Sequence, residues 1–572
     1  MIRTDFQLFR NTRQCFYTYV IFSIVSILLM ILSEFPLSAI ETHEVGVISG
    51  TLDNSLLAFI VFMYITYEYM SLSIRCHAEE CLSVLPVSKN TQEGHQVLFC
   101  FLLNGLYCFI MLCFNIIFAI ILHVAYPIYL LHIVKAIFLY LFLPDCIAIL
   151  IGAILSHIQK SFLSYVLLVI IAFYATNRSE HLFYMYDKLY GLSDFTQFFN
   201  VNNCTQYGNL MPLDAHFAVK PFYILGILAL ILTVFFYRRT RSKKYWGIQA
   251  FLVCVITVSI LIWKQPCGGY YWGYYDGEDN IYDDTEKIEQ ISDQDTFFIE
   301  RYDMELDLSK KMDFTVTMTL SDNSCPEYDF TLCSLYPIHS VQDGDGKTLE
   351  YQRDGNFLTI KNTDSALNEV IIEYSGVNLN KYCVGAGGIY LPGNFPFYPL
   401  AGKRPVIYQG LCELPSEESS FHVTVNYKNA TFSNLNRISD NVYEGNSNNF
   451  TIVSGFWKEK EINGFRMIYP YISASFNPEK NSFLLDGIGK YSNKKSENPI
   501  NGQTYQMTGK TIIIAPFAYE GGNYMFASDT VLFGSTWDLE MIYNKYLMTG
   551  EWYHIDEMTE DEIQQLFEEN PL

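Results

Sequence analysis

Two hydrophobicity patterns divide this chain. Up to about residue 265, apolar residues come in long runs with almost no charge inside them. These are Phe16–Leu32, Leu56–Leu72, Val97–Leu122, Ala136–Ser156, Phe162–Thr176, Phe222–Tyr237 and Ile248–Trp263. A helix that crosses a bilayer needs about 20 apolar residues, so the pattern predicts about seven membrane spans. The fifth and sixth runs are short and would have to tilt or extend at their ends. A buried core helix is the alternative for any single run, but not for a series this long. Before the first run, Phe6, Phe9, Arg10 and Arg13 stand at helical spacing, as in a helix lying in the membrane interface. The first run exceeds a usual signal core, and Leu37-Ser38-Ala39 is a poor cleavage site, so an uncleaved anchor is expected.

From about Phe298 the period changes to two. Tyr302, Met304, Leu306 and Leu308 alternate with other residues, as do Phe314, Val316, Met318 and Leu320. Turn signals such as Asp343-Gly344-Asp345-Gly346 and Asp354-Gly355 separate short runs. The expected fold is an α-helical polytopic membrane domain followed by a mainly β extracellular domain, an antiparallel sandwich. The boundaries expected are 1–265 for the membrane domain, 266–298 for a juxtamembrane linker, 299–475 for the sandwich and 476–572 for an α+β segment. The linker is rich in Gly, Tyr and acid. Its run Asp276, Glu278, Asp279, Asp283, Asp284 has no EF-hand pattern and reads as solvated chain.

Charge sharpens this division. Of 37 Lys+Arg and 60 Asp+Glu, residues 1–265 hold 16 and 14, a net of +2; the rest hold 21 and 46, a net of −25. The acidic half argues against a nucleic-acid partner, whose phosphates would repel it. Basic residues also orient the spans. Arg3, Arg10, Arg13, Arg75, Lys89, Lys160, Arg238, Arg239, Arg241, Lys243 and Lys244 all fall on one side of a seven-span arrangement; Lys135, Arg178, Lys188, Lys220 and Lys264 fall on the other. That 11-to-5 asymmetry puts the N-terminus and the 73–96 loop in the cytoplasm and residues 266–572 outside a cell membrane.

The loop after the second run carries a pattern: Arg75-Cys76-His77-Ala78-Glu79-Glu80-Cys81-Leu82-Ser83-Val84-Leu85-Pro86-Val87-Ser88-Lys89. Glu79 and Glu80 suit the start of a short helix, Pro86 stops it, and Leu82 and Leu85 share a face. The segment resembles the E-x-L-x-S-L-P-V-S-R/K stretch of ABC transporter permeases of the type-2 exporter class, over about residues 1–237. That resemblance implies an ATPase-coupling role for Glu79, Glu80, Leu82, Leu85, Pro86, Ser88 and Lys89. It also implies separate ABC ATPase subunits carrying ATP and Mg, and a second permease, as homodimer or heterodimer. An ordinary capped connector is the other reading. No cofactor is expected in this chain itself. The nearest P-loop decoy, Gly502…Gly509-Lys510-Thr511, has six residues between its glycines where four are needed. Asp145, behind Pro144 in the fourth run, is either a pathway residue or an acid facing another helix, because a charge there is costly.

In the external half, the run of I-H-S-V-Q-D-G-D-G-K-T-L-E-Y, L-T-I, I-I-E-Y-S-G-V and N-F-P-F-Y-P-L is similar to the N-terminal β-domain of zinc aminopeptidases of the aminopeptidase N type. Residues 421–470 and 511–535 are similar to the next stretch of that family's chains, which runs into the start of the catalytic domain. The family's chemistry needs H-E-x-x-H on a helix, and none of the 11 His stands in that arrangement. His339, His422 and His554 are isolated, and Gly521-Gly522-Asn523-Tyr524 is at best a degenerate substrate motif. The segment 476–572 is therefore expected to be peptidase-like and truncated, with neither catalytic residues nor metal. An even set of external cysteines allows oxidised pairing, Cys325 with Cys333 across a hairpin and Cys383 with Cys412 across a loop; buried thiols are the alternative.

Together these patterns read as a membrane subunit of an ABC transporter, not itself an enzyme, moving a peptide, drug or lipid with a separate ATPase and in contact with membrane lipid. The alternative is a membrane-anchored inactive peptidase-like receptor or immunity protein that binds extracellular peptides.

Overall fold

A computed structural model describes residues 2–34, 51, 54–75, 89–121, 125–158, 161–174, 219–263, 297–309, 312–362, 367–376, 382–384, 388–406, 411–462, 464–471, 510–514 and 525–533. The chain divides at Pro266 and Cys267 into a helical unit and a β-rich unit.

The helical unit comprises α1 (Ile2–Asn11), α2 (Arg13–Glu34), α3 (Ser55–Arg75), α4 (Lys89–Ile121), α5 (Pro127–Ile137), a π-helical turn (Phe138–Phe142), α6 (Leu143–Leu155), α7 (Ser161–Tyr174), α8 (Val219–Thr240) and α9 (Lys244–Trp263). Among the described residues, four stretches are long and apolar enough to cross a membrane: Arg13–Leu32, Ser55–Leu72, Asn90–Ile121 and Pro127–Leu155. Of the seven spans expected, four are matched by helices of spanning length among the described residues. The remaining apolar stretches are Phe162–Phe173, Ile224–Arg238 and Lys244–Ser259. At ~1.5 Å per residue the first of them rises only about 18 Å against a hydrocarbon thickness near 30 Å.

Helix α6 is the centre of this unit. Leu143 through Leu150, Gly152, Ala153 and Leu155 are all buried, with α3, α4 and α8 packed around them. Small residues allow the closest approach. A Cβ on Gly152 would stand 2.5 Å from the Met63 carbonyl oxygen and 3.1 Å from Thr66 Cβ, so α3 passes directly over this glycine. The π-turn has a visible cause. Pro144 has no N–H to offer the carbonyl four residues before it. The Leu143 N–H bonds the Phe138 carbonyl, five residues back, so the helix is widened there. At the other end of the unit, α1 docks through Phe9. Its ring lies 6.3, 5.7 and 5.6 Å from those of Tyr19, Tyr69 and Phe99, while Phe6 remains exposed.

The β-rich unit shows the alternation read from sequence. Strands Ile299–Asp307 and Asp313–Leu320 bury one side chain in two. They lie centrally in a seven-stranded sheet ordered Asn436–Ser439, Val442–Ser447, Ser419–Asn426, Ile299–Asp307, Asp313–Leu320, Glu369–Ser375, Ile338–Asp343. The sheet is mixed rather than purely antiparallel, because Arg301–Asp307 pairs in parallel with Ser420–Asn426. Beneath it lies an aromatic core: Tyr302 stacks on Phe421 at 4.7 Å and Phe314 on Tyr374 at 5.0 Å. The hydroxyls of Tyr302 and Tyr374 find partners, as burial favours. Tyr302 donates to the Pro399 carbonyl and Tyr374 to the Phe397 carbonyl, each at 2.9 Å. A further sheet, ordered Trp457–Ile462, Phe465–Pro470, Thr511–Ile514, Thr530–Phe533, Met525–Phe526, has parallel pairs at its centre.

Gly152→Val tests the helical packing. The substitution forces backbone apart where no flexible side chain can yield, at a cost of about 1–3 kcal/mol. Detergent-purified G152V should melt below wild type by circular dichroism, and an unchanged melting temperature would contradict the close passage of α3 over α6.

Candidate coupling site and its surroundings

Of the sequence-predicted coupling residues, Glu79, Glu80, Leu82, Leu85, Pro86 and Ser88 lie outside the described residues. Lys89 is described and opens α4. The structure does describe what the segment is strung between, the end of α3 at Arg75 and the first turns of α4.

Those turns are rich in buried polar contacts. Asn90 Nδ2 donates to the Phe236 carbonyl of α8 at 2.8 Å and lies 3.3 Å from the Tyr245 hydroxyl of α9. One turn on, Glu93 Oε2 lies 3.2 Å from His157 Nε2, just beyond α6. His157 Nδ1 donates to the Ala153 carbonyl at 2.8 Å, and its ring stacks on Phe235 at 5.5 Å. Nearby in α3, Glu68 accepts a hydrogen bond from the Tyr165 hydroxyl of α7. Glu68 is buried.

Asp145 stands in the first turn of α6 with 0% of its surface exposed. Among the described residues neither carboxyl oxygen has a hydrogen-bond partner. Beside it, Asn104 Nδ2 donates to the Phe142 carbonyl at 3.0 Å, at the end of the π-turn, and lies 3.7 Å from Cys146 Sγ. Cys108 Sγ donates to Asn104 Oδ1 at 3.3 Å. Sequence reasoning singled out Asp145 but missed Asn104. Its signal was an amide, one of two with Asn115, inside the otherwise apolar run Val97–Leu122. Glu93 and His157 are 64 residues apart, and no local pattern pairs them.

The expected cysteine pairing is corrected in part. Cys325, Cys333 and Cys412 are thiols and not half-cystines. The strand Glu327–Thr331 runs between Cys325 and Cys333. At ~3.3 Å per residue it holds them well beyond the roughly 4.4–6.8 Å that a disulfide spans. Cys325 Sγ instead donates to Asp322 Oδ2 at 3.7 Å and Cys412 Sγ to the Asn394 carbonyl at 3.5 Å. Burial pushes the Cys333 thiol up to about 12, so it is poorly suited to exchange. Cys383 pairs in a short strand with Tyr390.

No group of three His, Cys, Asp or Glu among the described residues could hold a metal. His339 contacts Ser375 Oγ at 2.6 Å and His422 contacts Glu444 at 2.6 Å. Three strands separate theirs in the sheet, so they stand about 19 Å apart at ~4.8 Å per strand. They do not fit the single-helix pair of imidazoles that a zinc peptidase requires. His554 and Gly521 through Tyr524 lie outside the described residues. The P-loop decoy is occupied otherwise: Lys510 Nζ donates to the Ala527 carbonyl at 2.6 Å and Thr511 begins a strand.

The polar contacts that tie Arg466 and Asp529 to residues 433–449 were not legible beforehand. Arg466 donates to the carbonyls of Ser433, Asn434 and Leu435 at 3.0, 2.6 and 3.1 Å. Asp529 accepts from Ser447, Asn434, Asn449 and Thr530. Burial raises the Asp529 carboxyl above its ordinary range, and these donors offset the shift only in part.

No family model matches the chain, and no curated protein matches it. Solved structures similar to it include an M1 zinc metallopeptidase from Deinococcus radiodurans, with 11% identity, TM-score 0.30, and coverage of 44% of this chain and 64% of that one. Native yeast LTA4 hydrolase is similar at 14% identity and TM-score 0.31, with 43% of each chain covered. The chain thus spans less than two thirds of the length of these neighbours.

Asp529 gives the β-rich unit a pH signature. The native state holds its proton more tightly than the unfolded chain. Its contribution is therefore greatest at low pH and declines as pH rises from the unfolded value through the raised native one. Urea midpoints of the full chain, followed by tryptophan fluorescence across that acid window, should show this decline. Asp529→Asn should flatten it. An identical pH profile in the variant would contradict the assignment.

Proposed function

We propose that the chain is the membrane subunit of an ABC transporter. It docks separate ATPase subunits through residues 79–89 and moves a peptide, drug or lipid across the cell membrane. One observation carries this reading: the Glu79-Glu80-Cys81-Leu82-Ser83-Val84-Leu85-Pro86-Val87-Ser88-Lys89 pattern, set between two helices each long and apolar enough to cross a bilayer. A short helix with a Leu82/Leu85 face, stopped by Pro86, is a rigid lever for a cleft in a partner. Burying two leucines there contributes about 3–6 kcal/mol before ordering costs. In this reading the three shorter apolar helices also cross, by tilting and lengthening at their ends. The N-terminus is then cytoplasmic and the β-rich unit extracellular, as the basic asymmetry favours. A second copy or a sister permease completes the pathway, and Asp145 lies along it. The external unit receives or gates cargo and performs no peptidase chemistry.

The second reading, an anchored peptidase-like receptor or immunity protein, draws on the strand pattern of residues 298–376. It requires no ATPase.

Two experiments decide. Leu82→Asp with Leu85→Asp should leave insertion intact, release a co-purifying P-loop ATPase and abolish substrate-stimulated ATP hydrolysis. Retention of both properties would remove the coupling role from this segment. Cysteine labelling of intact cells should reach introduced thiols in 299–462 and spare those in 238–244; the reverse pattern would overturn the topology.

A further inference from the structure

The contact between Glu93 and His157 has a proton count that the geometry fixes. A carbonyl oxygen can only accept, so His157 Nδ1, 2.8 Å from the Ala153 carbonyl, carries a hydrogen. Its other nitrogen, Nε2, faces Glu93 Oε2 at 3.2 Å. Without a further proton, two lone pairs would oppose each other there. The contact therefore holds one proton between ring and carboxyl, whichever side carries it. Both side chains are nearly buried, at 11% and 9% exposure, and the stacked Phe235 ring limits rotation of the imidazole.

The neighbours of this contact are equally directed. Asn90 lies three residues before Glu93, on the same face of α4, and is bound to the Phe236 carbonyl. The start of α4 is thus fastened to α8 through Asn90 and to the end of α6 through Glu93. From Ala153, α6 runs without interruption to Asp145, about 12 Å at ~1.5 Å per residue.

We infer that Glu93 and His157 form a strut that makes the first turns of α4 and the last turn of α6 move as one body. The strut delivers a displacement of the residues before Lys89 to the helix that carries Asp145. Its role as a transmitter rests on the transport reading above; its existence as a mechanical tie does not. Glu93 and His157 are positioning residues: neither touches cargo nor nucleotide.

Three variants of the full chain separate the outcomes. Glu93→Leu and His157→Phe remove the hydrogen bond, the second keeping the stack on Phe235. Glu93→Gln keeps a bond, because the amide N–H can donate to Nε2. Hydrogen exchange of the purified chain tests the tie directly. In E93L and H157F it should rise about tenfold in both 89–97 and 150–158, the loss expected for one buried hydrogen bond, and stay near wild type in E93Q. A rise confined to the segment bearing the substitution would overturn the strut. ATP hydrolysis tests its role. E93L and H157F should still co-purify the ATPase but lose substrate stimulation about tenfold, and E93Q should retain it. Equal stimulation in all variants overturns the transmitting role and leaves the transport reading standing. Absence of any P-loop ATPase with wild type sinks the transport reading, and with it the transmitting role, while the exchange result still judges the tie.

Discussion

A helix that crosses hydrocarbon has no water for its backbone, so each N–H and C=O must be satisfied within the protein. Pro144 breaks that condition in the middle of the stretch Pro127–Leu155, and the surrounding structure answers it. The helix widens into a π-turn over Phe138–Phe142. Asn104 reaches from α4 to the Phe142 carbonyl, bringing Cys108 and Cys146 with it. The same helix then passes under α3 at Gly152, where no side chain fits between them. Asp145, the most buried acid among the described residues of this unit, and the close crossing at Gly152 thus belong to one short helix. Anything that moves α6 moves both.

The β-rich unit meets a different requirement with the same economy. Its core is filled with aromatic rings whose hydroxyls would be costly if buried alone. Tyr302, Tyr374 and Tyr398 each bond a main-chain group, at 2.9, 2.9 and 3.0 Å. Arg466 and Asp529 do the corresponding work at the joint with the second sheet.

Periodicity made much of this legible. Alternation from Tyr302 to Leu308 and from Phe314 to Leu320 is the burial alternation of two central strands, because side chains leave a strand on opposite faces. Long apolar runs became helices for the reason given above. Periodicity was silent where contacts span long separations. The parallel pairing of Ile299–Asp307 with Ser419–Asn426 joins segments more than 100 residues apart. Cys325 and Cys333 looked suited to a staple by spacing, yet an extended strand between them keeps their thiols apart. Of the site, Asp145 was visible as a charge in a greasy stretch. Asn90, Glu93 and His157 were not, since their meaning depends on which helix ends come together.

The central claim is that residues 79–89 meet a separate ATPase. Its most direct measurement is site-specific photocrosslinking in cells. A photoreactive amino acid in place of Ser88 should capture one partner that mass spectrometry identifies as a P-loop ATPase, with the crosslinked peptide lying in its nucleotide-binding domain. Crosslinks confined to lipid, to this chain itself or to extracellular peptides would contradict the account.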